Sequence, residues 1–304
     1  MDRSIFMKLP TGDIANLIKT EGIPKVGVFV SDGNRRLVLS KTKLQENTSG
    51  FFEELVTMQT SGFLNNLHIF FGHGLRILFA PLFSRSVLSR KSNYPVFVAL
   101  KTLKLLFTDD TWLKFYDTWN VRVKIYGNLA VLSESGCEPA LDWIHGIQEK
   151  TKTYTMHTLF IGIGGEPGIG KDAAKAAVLF FQKNQREASR AELSDWLYGE
   201  TVPFADFFIM CSKFAGLGAL PGLICDARTE SYYLPAPAAI SLTKPVYRAI
   251  LYDLIYLRRG KAAKPYQLSP VQRHQLQEWY AKHANQVIGL GKKIGTVWIP
   301  EIFD

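Results

Sequence analysis

The sequence predicts an α/β fold with a central, mainly parallel β-sheet flanked by helices. Short apolar runs typical of buried strands alternate along the chain with stretches whose apolar residues recur at helical spacing. The stretches between most successive runs are long enough for a crossover helix, which is the connection that parallel strands require. In such sheets ligands bind at the carboxyl ends of the strands, so we expect the active site at that edge.

Five runs have the length and composition of buried strands, because each is rich in β-branched or aromatic residues. They are Val26–Val30, Ile77–Phe83, Val121–Tyr126, Thr158–Ile163 and Phe207–Met210. No internal repeat, low-complexity segment or linker interrupts the pattern. A single domain over residues 1–304 is therefore expected.

Helices are predicted from apolar periodicity and from capping residues. The predicted helices span residues 50–72, 96–107, 171–182, 191–198, 246–257 and 270–282. Ser189 is placed to cap the fourth of them, and Ser269-Pro270 starts the last. Residues 214–237 are rich in glycine and proline and are predicted as a loop.

Composition and charge limit the partners. Charged residues make up 21% and apolar residues 47% of the chain, which indicates an ordinary globular protein rather than a disordered one. The net charge of +9 favours an anionic partner, but no nucleic-acid-binding motif is present and nucleic acid is not expected. No apolar run approaches the roughly 18 residues of a membrane span, and the N-terminus lacks a signal-peptide pattern. The three cysteines, Cys137, Cys211 and Cys225, are odd in number, widely spaced and include no Cys-x-x-Cys pair. We therefore expect reduced thiols and a cytoplasmic location.

The most informative segment is residues 32–36, Asp-Gly-Asn-Arg-Arg, directly after the first predicted strand. A helix beginning near Asn34 would direct its free backbone N–H groups and both arginines toward one anion. Asp32 at the strand tip is placed to hold a divalent cation or to face a leaving group. An acid beside a basic anion site suits chemistry on a diphosphate ester. The alternative is an ordinary Asp-Gly turn with solvated arginines, because Asp-Gly is a common turn dipeptide.

This motif and several later segments resemble the cis-prenyltransferases, the family with the undecaprenyl-diphosphate-synthase fold. Residues 74–84, 120–128 and 157–165 resemble the second, third and fourth strands of that family, in the right order. Residues 196–200 and 248–258 resemble a divergent diterpene-synthase branch, the tuberculosinol and kolavelool synthases, most closely the latter. The similarity covers nearly the whole chain.

The resemblance implies a binding site for one allylic diphosphate. The residues at the matching positions are Asp32, Gly33, Asn34, Arg35, Arg36, Ser84 and Arg90. Asp32 is implied as the ligand of Mg²⁺, the expected cofactor. Tyr94 matches by its spacing a tyrosine that lies near the reacting carbon in the diterpene-synthase branch. The family also implies a homodimer, and the aromatic residues of segment 246–298 suit its interface.

The family's second diphosphate site, for isopentenyl diphosphate, is incomplete in this chain. That site uses Arg-Thr-x-Gly-Glu-x-Arg after the fifth strand, whereas residues 209–214 read Ile-Met-Cys-Ser-Lys-Phe. An alternative register places Arg228-Thr229-Glu230 there and keeps only part of the pattern. The family's Phe-Ser-Thr-Glu-Asn-Trp also becomes Phe-Ser-Arg-Ser-Val-Leu at residues 83–88. The first substrate still fits, but the second does not.

Residues 165–172 fit a different motif, the glycine-rich phosphate loop Gly-x4-Gly-Lys, between a predicted strand and a predicted helix. Asp172 stands where that motif supplies a Ser or Thr hydroxyl to Mg²⁺, so an anion would face the γ-phosphate. The segment also coincides with the cis-prenyltransferases' own Gly-Gly segment. A structural turn with an exposed Lys171 is the preferred interpretation, and nucleotide binding is kept as an alternative.

The leading functional hypothesis is a diterpene synthase. With Mg²⁺, it would ionise a bicyclic twenty-carbon allylic diphosphate of the kolavenyl or tuberculosinyl type and release diphosphate. Water would then add to the tertiary allylic carbon and give a tertiary diterpene alcohol. The alternatives are prenyl transfer to an acceptor such as adenosine, ordinary chain elongation, and a phosphate-loop nucleotide-binding protein. The carbocation needs an aromatic-lined cavity. The candidate lining residues are Phe51, Phe52, Tyr94, Trp112, Tyr232 and Tyr233.

Overall fold

A six-stranded parallel sheet forms the centre of the structure. The computed structural model describes residues 1–46, 48–90, 94–165, 170–212, 221–258, 268–284 and 286–302. The strands are β1 (Val26–Val30), β2 (Ile77–Ser84), β3 (Val121–Gly127), β4 (His157–Gly165), β5 (Phe207–Cys211) and β6 (Glu230–Leu234). Their order across the sheet is β3-β4-β2-β1-β5-β6, and every neighbouring pair is parallel. The predicted fold class is confirmed.

Helices connect these strands and cover the sheet. They are α1 (Arg3–Lys8), α2 (Thr11–Glu21), α3 (Asn34–Lys41), α4 (Ser49–Gly72), α5 (Arg85–Leu88), α6 (Lys101–Thr108), α7 (Asp110–Trp119), α8 (Ala130–Glu134), α9 (Ala140–Thr151), α10 (Lys171–Asn184), α11 (Arg190–Tyr198), α12 (Ala238–Ser241), α13 (Lys244–Tyr252) and α14 (Pro270–His283). A π-helical segment, Pro95–Leu100, precedes α6, and another, Asp253–Arg258, follows α13. An antiparallel hairpin, β7 (Gly291–Ile294) and β8 (Val297–Pro300), lies near the C-terminus.

Two hydrophobic clusters lie on opposite faces of the sheet, because side chains alternate between faces along each strand. On β1, Phe29 belongs to the larger cluster, whereas Val28 belongs to the smaller one. The larger cluster includes Phe70 of α4, whose ring lies 5.3 Å from that of Phe29 and 4.9 Å from that of Tyr247 on α13. Truncation of such a buried ring typically costs about 3–5 kcal/mol, so this face fixes α4 and α13 on the sheet.

Helix α4 has 24 residues, enough to span a bilayer, but its sequence argues for packing on the protein core. Glu53 and Glu54 interrupt its apolar residues, and Phe63, Leu67 and Phe70 are buried against the sheet. Among the described residues no helix is both long and apolar enough to cross a membrane.

The predicted strands are all present, but two β elements were missed. Strand β6 falls inside segment 214–237, which was predicted as a loop, so that prediction is wrong for residues 230–234. It pairs only with β5 at the edge of the sheet, and its side chains alternate between exposed and partly buried. The β7–β8 hairpin was also missed because its first strand, Gly-Lys-Lys-Ile, is fully exposed and lacks an apolar pattern.

The predicted helices are present with shifted ends. The cap at Ser189 is confirmed as a full capping box with Glu192, and Ser269 caps α14 in the same way with Gln272. The predicted helices 96–107 and 246–257 are each part α-helix and part π-helix. The first of them begins at Pro95, which suits a helix start because proline has no N–H to donate.

Candidate active site

The turn between β1 and α3 has the geometry that the sequence predicted. Helix α3 begins at Asn34, and Gly33 caps it with φ of 88°, a left-handed conformation that favours glycine. A Cβ at Gly33 would lie 2.5 Å from the Ser212 hydroxyl oxygen, so the space also requires glycine. The side-chain oxygen of Asn34 accepts a hydrogen bond from the N–H of Ala239, at 3.1 Å, and fixes the turn against α12.

Two arginines stand beside the first N–H groups of α3, those of Asn34 and Arg35, which have no acceptor within the helix, whereas the N–H of Arg36 donates to the carbonyl of Gly33 at 3.0 Å. Arg36 donates to the backbone carbonyl of Trp298 at 3.2 Å, and its guanidinium lies 3.8 Å from the carboxylate of Asp32. Arg35 forms an ion pair with Glu46. Both guanidiniums are thus held close to the positive end of α3, where an anion is stabilised.

A cavity of about 550 Å³ opens in front of this turn, and we call it the first cavity. Its polar wall contains every predicted site residue except Ser84. These residues are Asp32, Gly33, Asn34, Arg35, Arg36, Arg90 and Tyr94. Three arginines and two carboxylates, Asp32 and Glu46, supply the charges of its described lining, so the balance is positive. This end of the cavity suits a phosphate or diphosphate group.

The remaining wall of the first cavity is mainly apolar and comes from α4, β2, α5 and α6. Its apolar side chains are Leu55, Phe63, Leu82, Phe83, Val87 and Leu106. Of the predicted aromatic lining residues, only Tyr94 is among the described residues that line it; Phe63, Phe83 and Trp298 take that role. Phe51 and Phe52 instead pack behind Tyr94, and Trp112 lies in the main core. The sequence analysis predicted correctly that aromatic residues line the cavity, but it did not identify most of the aromatic residues that face it.

Several lining groups were not anticipated from the sequence. Gln59 and Thr102 lie together among the apolar residues, with the Gln59 amide 3.4 Å from the Thr102 hydroxyl. Thr296, Val297 and Trp298 of the C-terminal hairpin also reach the cavity. The only sequence signal for the hairpin was the resemblance to the cis-prenyltransferase family, which covers nearly the whole chain.

Tyr94 lies between two guanidiniums at the cavity wall. Its ring centre is 5.8 Å from the Arg35 guanidinium carbon and 5.1 Å from that of Arg90. The ring also meets Phe52 edge to face at 6.0 Å. Burial raises the pKa of Tyr94 above its usual value, and the two arginines oppose that shift. The phenol is therefore neutral at physiological pH and can donate a hydrogen bond.

Ser84 is the one predicted site residue that the structure places apart from the others. It is absent from the described lining of the first cavity and lines a second cavity of about 460 Å³, where its hydroxyl lies 2.9 Å from that of Ser86. The second cavity lies over the carboxyl ends of β1 to β5 and beside the start of α10. Five residues line both cavities: Ser31, Asp32, Leu82, Phe83 and Val87.

The residues around Asp32 are suited to Mg²⁺, which proteins often bind through one or two carboxylates with waters and substrate phosphates as further ligands. The Asp32 carboxylate is about half exposed and faces the arginine-lined cavity. No cluster of three or more metal-ligating side chains occurs among the described residues. Asp32 is therefore the side chain that would hold Mg²⁺, with substrate oxygens completing the ligand set.

The alternative register for the second diphosphate site is wrong. Arg228 and Thr229 precede β6, and because β6 is parallel to β5 they lie at the amino edge of the sheet, opposite both cavities. Thr229 donates to the carbonyl of Ala205, which precedes β5, and Arg228 pairs with Asp226. The other register runs into residues 213–220, which lie outside the described residues.

The phosphate-loop segment lies beside the second cavity. Helix α10 begins at Lys171 after Gly170, whose φ is 84°, and Lys171 is exposed. Asp172 lines the second cavity. Residues 166–169 lie outside the described residues, so the loop itself is not described.

The chain is similar in sequence to two proteins of the predicted diterpene branch. It is 29% identical over 303 residues to the tuberculosinyl adenosine transferase of Mycobacterium tuberculosis, covering 97% of each chain. It is 26% identical over 289 residues to the (+)-kolavelool synthase of Herpetosiphon aurantiacus, covering 91% of this chain and 90% of that one. The predicted resemblance to this branch is confirmed, but of these two proteins the transferase, and not the kolavelool synthase, has the higher identity and coverage. No protein-family model matches the chain.

Solved structures with the same fold are cis-prenyltransferases. Lavandulyl diphosphate synthase from Lavandula x intermedia, solved with dimethylallyl diphosphate, gives a TM-score of 0.59 at 16% identity and covers 79% of this chain and 98% of that one. A probable undecaprenyl diphosphate synthase from Campylobacter jejuni gives a TM-score of 0.55 at 20% identity and covers 78% of this chain and 97% of that one. At these identities the likeness concerns the fold.

Proposed function

From the cis-prenyltransferase fold and the two diterpene-branch relatives, we propose that this chain is a diterpene synthase that ionises a bicyclic twenty-carbon allylic diphosphate. The observation that carries the proposal is the first cavity, which has an arginine-rich end at the Asp32 turn and an apolar interior. The diphosphate would lie against α3, and the hydrocarbon would lie between α4, β2 and α6. A volume of about 550 Å³ is within the range of roughly 300–1,000 Å³ of small-molecule sites.

Ionisation follows from the charges at the turn. When the allylic C–O bond breaks, its electron pair passes to the departing diphosphate, where negative charge accumulates. Arg35, Arg36 and the first N–H groups of α3 are already held at that point, so they stabilise this charge with little reorganisation. Mg²⁺ held by Asp32 would neutralise part of the diphosphate charge.

Water is the proposed nucleophile, and Tyr94 is the residue proposed to position it. The neutral phenol of Tyr94 stands at the boundary between the arginine-rich end and the apolar wall, where the reacting carbon of a bound substrate would lie. Water adds to the tertiary allylic carbon, and the released diphosphate or Asp32 accepts its proton. The product is a tertiary diterpene alcohol of the kolavelool or tuberculosinol type.

Prenyl transfer to an acceptor such as adenosine is a second candidate, favoured by a specific observation. The second cavity meets the first at Asp32 and has room for another molecule. Ordinary elongation is less well supported, because an isopentenyl diphosphate would need cations that the described lining of the second cavity does not supply beyond Lys175.

A homodimer is the proposed assembly. Helix α14 has no buried residues and exposes Val271, Trp279 and Tyr280. Exposed apolar groups of this kind are typical of interaction surfaces. Size-exclusion chromatography with light scattering at micromolar concentration tests the proposal, and a strictly monomeric mass would contradict it.

The experiment that tests the function is product analysis of the purified chain with Mg²⁺. Farnesyl, geranylgeranyl and bicyclic diterpene diphosphates are supplied separately, each labelled, and diphosphate release and organic products are measured. We expect the bicyclic substrate to give diphosphate and a tertiary alcohol. Longer polyprenyl chains formed from added isopentenyl diphosphate, or no turnover of any prenyl diphosphate, would contradict the proposal.

A further inference from the structure

The apolar end of the first cavity contains a pair of polar side chains. Gln59 of α4 and Thr102 of α6 both line the cavity, and the Gln59 amide donates to the Thr102 hydroxyl at 3.4 Å. Leu55, Phe63 and Leu106, which line the same wall, are buried apolar side chains. A polar group in such surroundings costs free energy unless it is hydrogen-bonded. A purely hydrocarbon ligand would therefore leave this pair poorly matched.

The hydrogen bonding of the pair is incomplete. Thr102 is only 1% exposed, and its hydroxyl accepts from Gln59 but donates no hydrogen bond among the described residues. The side-chain carbonyl of Gln59 also accepts none there. Thr60, the next residue on α4, differs, because its hydroxyl donates to the backbone carbonyl of Val56 at 2.8 Å. The pair thus keeps one donor and one acceptor for a ligand, whereas the proton of Thr60 is already used.

Helix α4 sets the distance between this pair and the diphosphate end. The helix begins three residues after Glu46, which pairs with Arg35, so its N-terminus lies at the arginine-rich end of the cavity. Phe52 meets the ring of Tyr94 at that end. Gln59 lies two turns further along α4, about 10 Å at 1.5 Å per residue. The pair therefore faces the ring system of a bound bicyclic diphosphate rather than its allylic carbon.

The donor and acceptor of the pair match a hydroxyl group. A hydroxyl can accept from Thr102 and donate to the Gln59 carbonyl at the same time, which closes a ring of three hydrogen bonds with the Gln59–Thr102 contact. A ketone or ether oxygen would use the donor only. A charged group is disfavoured, because the charged side chains of the described lining belong to the arginine-rich end.

We propose that Gln59 and Thr102 select a substrate whose bicyclic ring system carries a hydroxyl group. This inference rests on the proposed function and narrows its substrate class to hydroxylated bicyclic twenty-carbon allylic diphosphates. The ring hydroxyl binds the pair while the diphosphate lies at Arg35 and Arg36. A substrate without the hydroxyl leaves the Thr102 donor buried without an acceptor, and a site built to bind a hydroxyl discriminates against the analogue that lacks it.

The test compares two labelled bicyclic allylic diphosphates that differ only in the ring hydroxyl. With the full chain and Mg²⁺, kcat/KM for diphosphate release is measured for each, and their ratio is the readout. Thr102→Val and Gln59→Met remove the two polar groups. Thr60→Val is the matched control, because it removes a hydroxyl from the same wall that already donates within α4. Circular dichroism melting curves check that each variant folds.

We expect the wild type and Thr60→Val to favour the hydroxylated substrate at least about tenfold in kcat/KM. Thr102→Val and Gln59→Met should each bring the ratio close to one, chiefly by lowering kcat/KM for the hydroxylated substrate. A wild-type ratio below about twofold, or the same loss of preference in both valine variants, would overturn the proposal.

Binding measurements separate this proposal from the proposed function. If neither substrate releases diphosphate, the proposed ionisation is wrong, and equilibrium dialysis with unreactive thio-analogues of the two diphosphates decides the role of the pair. Tighter binding of the hydroxylated analogue that Thr102→Val abolishes and Thr60→Val keeps would support the selection. Equal affinities of the wild type for the two analogues would overturn it.

Discussion

The two cavities that meet at Asp32 differ in charge and in how the chain builds them. The polar end of the first comes mainly from one short segment, residues 31–36, and carries an excess of arginine. The second is assembled from β1 to β5, α10 and α11, and its described lining has two carboxylates, Asp32 and Asp172, against one ammonium group, Lys175. Among the described residues, one sheet edge thus places an arginine-rich cavity next to a cavity with a single cationic side chain. Under the proposed function, this difference would let the chain bind an allylic diphosphate without binding the elongation partner.

Asp32 belongs to both cavities, so its substitution should have the largest effect. Asp32→Asn keeps the shape but removes the carboxylate proposed to hold Mg²⁺ and to accept a proton. We expect turnover to fall roughly a thousand-fold, equivalent to about 4 kcal/mol. The measurement is diphosphate release over a range of Mg²⁺ concentrations, with circular dichroism as the control for folding. Wild-type turnover and an unchanged Mg²⁺ dependence would remove Asp32 from the mechanism.

Arg36 belongs to the first cavity alone. Arg36→Ala removes charge-assisted hydrogen bonds to the departing diphosphate and should cost about 2–4 kcal/mol of transition-state stabilisation. The readout is kcat/KM for the allylic diphosphate. Arg186→Ala is the control, because Arg186 pairs with Glu192 on the surface and does not line either described cavity. Similar losses in both variants would point to a general effect of charge rather than to the site.

Tyr94 tests how the first cavity handles water. If the phenol positions the nucleophile, Tyr94→Phe should still ionise the substrate but divert the cation to olefins by proton loss. We expect diphosphate release within about tenfold of the wild type and a clear fall in the alcohol-to-olefin ratio, measured by gas chromatography with mass spectrometry. An unchanged ratio would make Tyr94 a wall residue only.

Lys171 should have the smallest effect, and its substitution tests the alternative that residues 165–172 bind a nucleotide as a phosphate loop. Lys171 is exposed at the start of α10 and does not line either described cavity. Lys171→Ala should change diphosphate release and adenosine-adduct formation by less than about twofold. Tight ATP binding by the wild type that this variant abolishes would instead support the phosphate-loop alternative.

The sequence predicted the parts whose information is local. Strand β1, the Asp-Gly turn and the start of α3 at Asn34 lie within one continuous segment, residues 26–34. They follow from its apolar run and from the freedom of Gly33 to adopt a positive φ. The resemblance then supplied Arg90 and Tyr94, which the structure brings to the same cavity. Both predictions depend on short spacings, for which the geometry of a strand, turn and helix leaves few alternatives.

Contacts between distant segments could not be predicted in this way. Ser84, which is predicted to contact the diphosphate, lies at the end of β2 and lines the second cavity, a placement that the sequence pattern does not show. The contact of Arg36 with the carbonyl of Trp298 joins positions 262 residues apart through a backbone atom, which leaves no trace in side-chain pattern. The prediction that Arg228 lies at the second diphosphate site was wrong, because only the parallel pairing of β5 and β6 shows which edge of the sheet Arg228 occupies.

The central claim is that one cavity binds a diphosphate and its neighbour does not. The most direct measurement is equilibrium dialysis of the full chain with Mg²⁺, a labelled unreactive thio-analogue of geranylgeranyl diphosphate, and labelled isopentenyl diphosphate. We predict one bound allylic analogue per chain and no isopentenyl diphosphate bound beside it. One equivalent of each, bound together, would contradict the account.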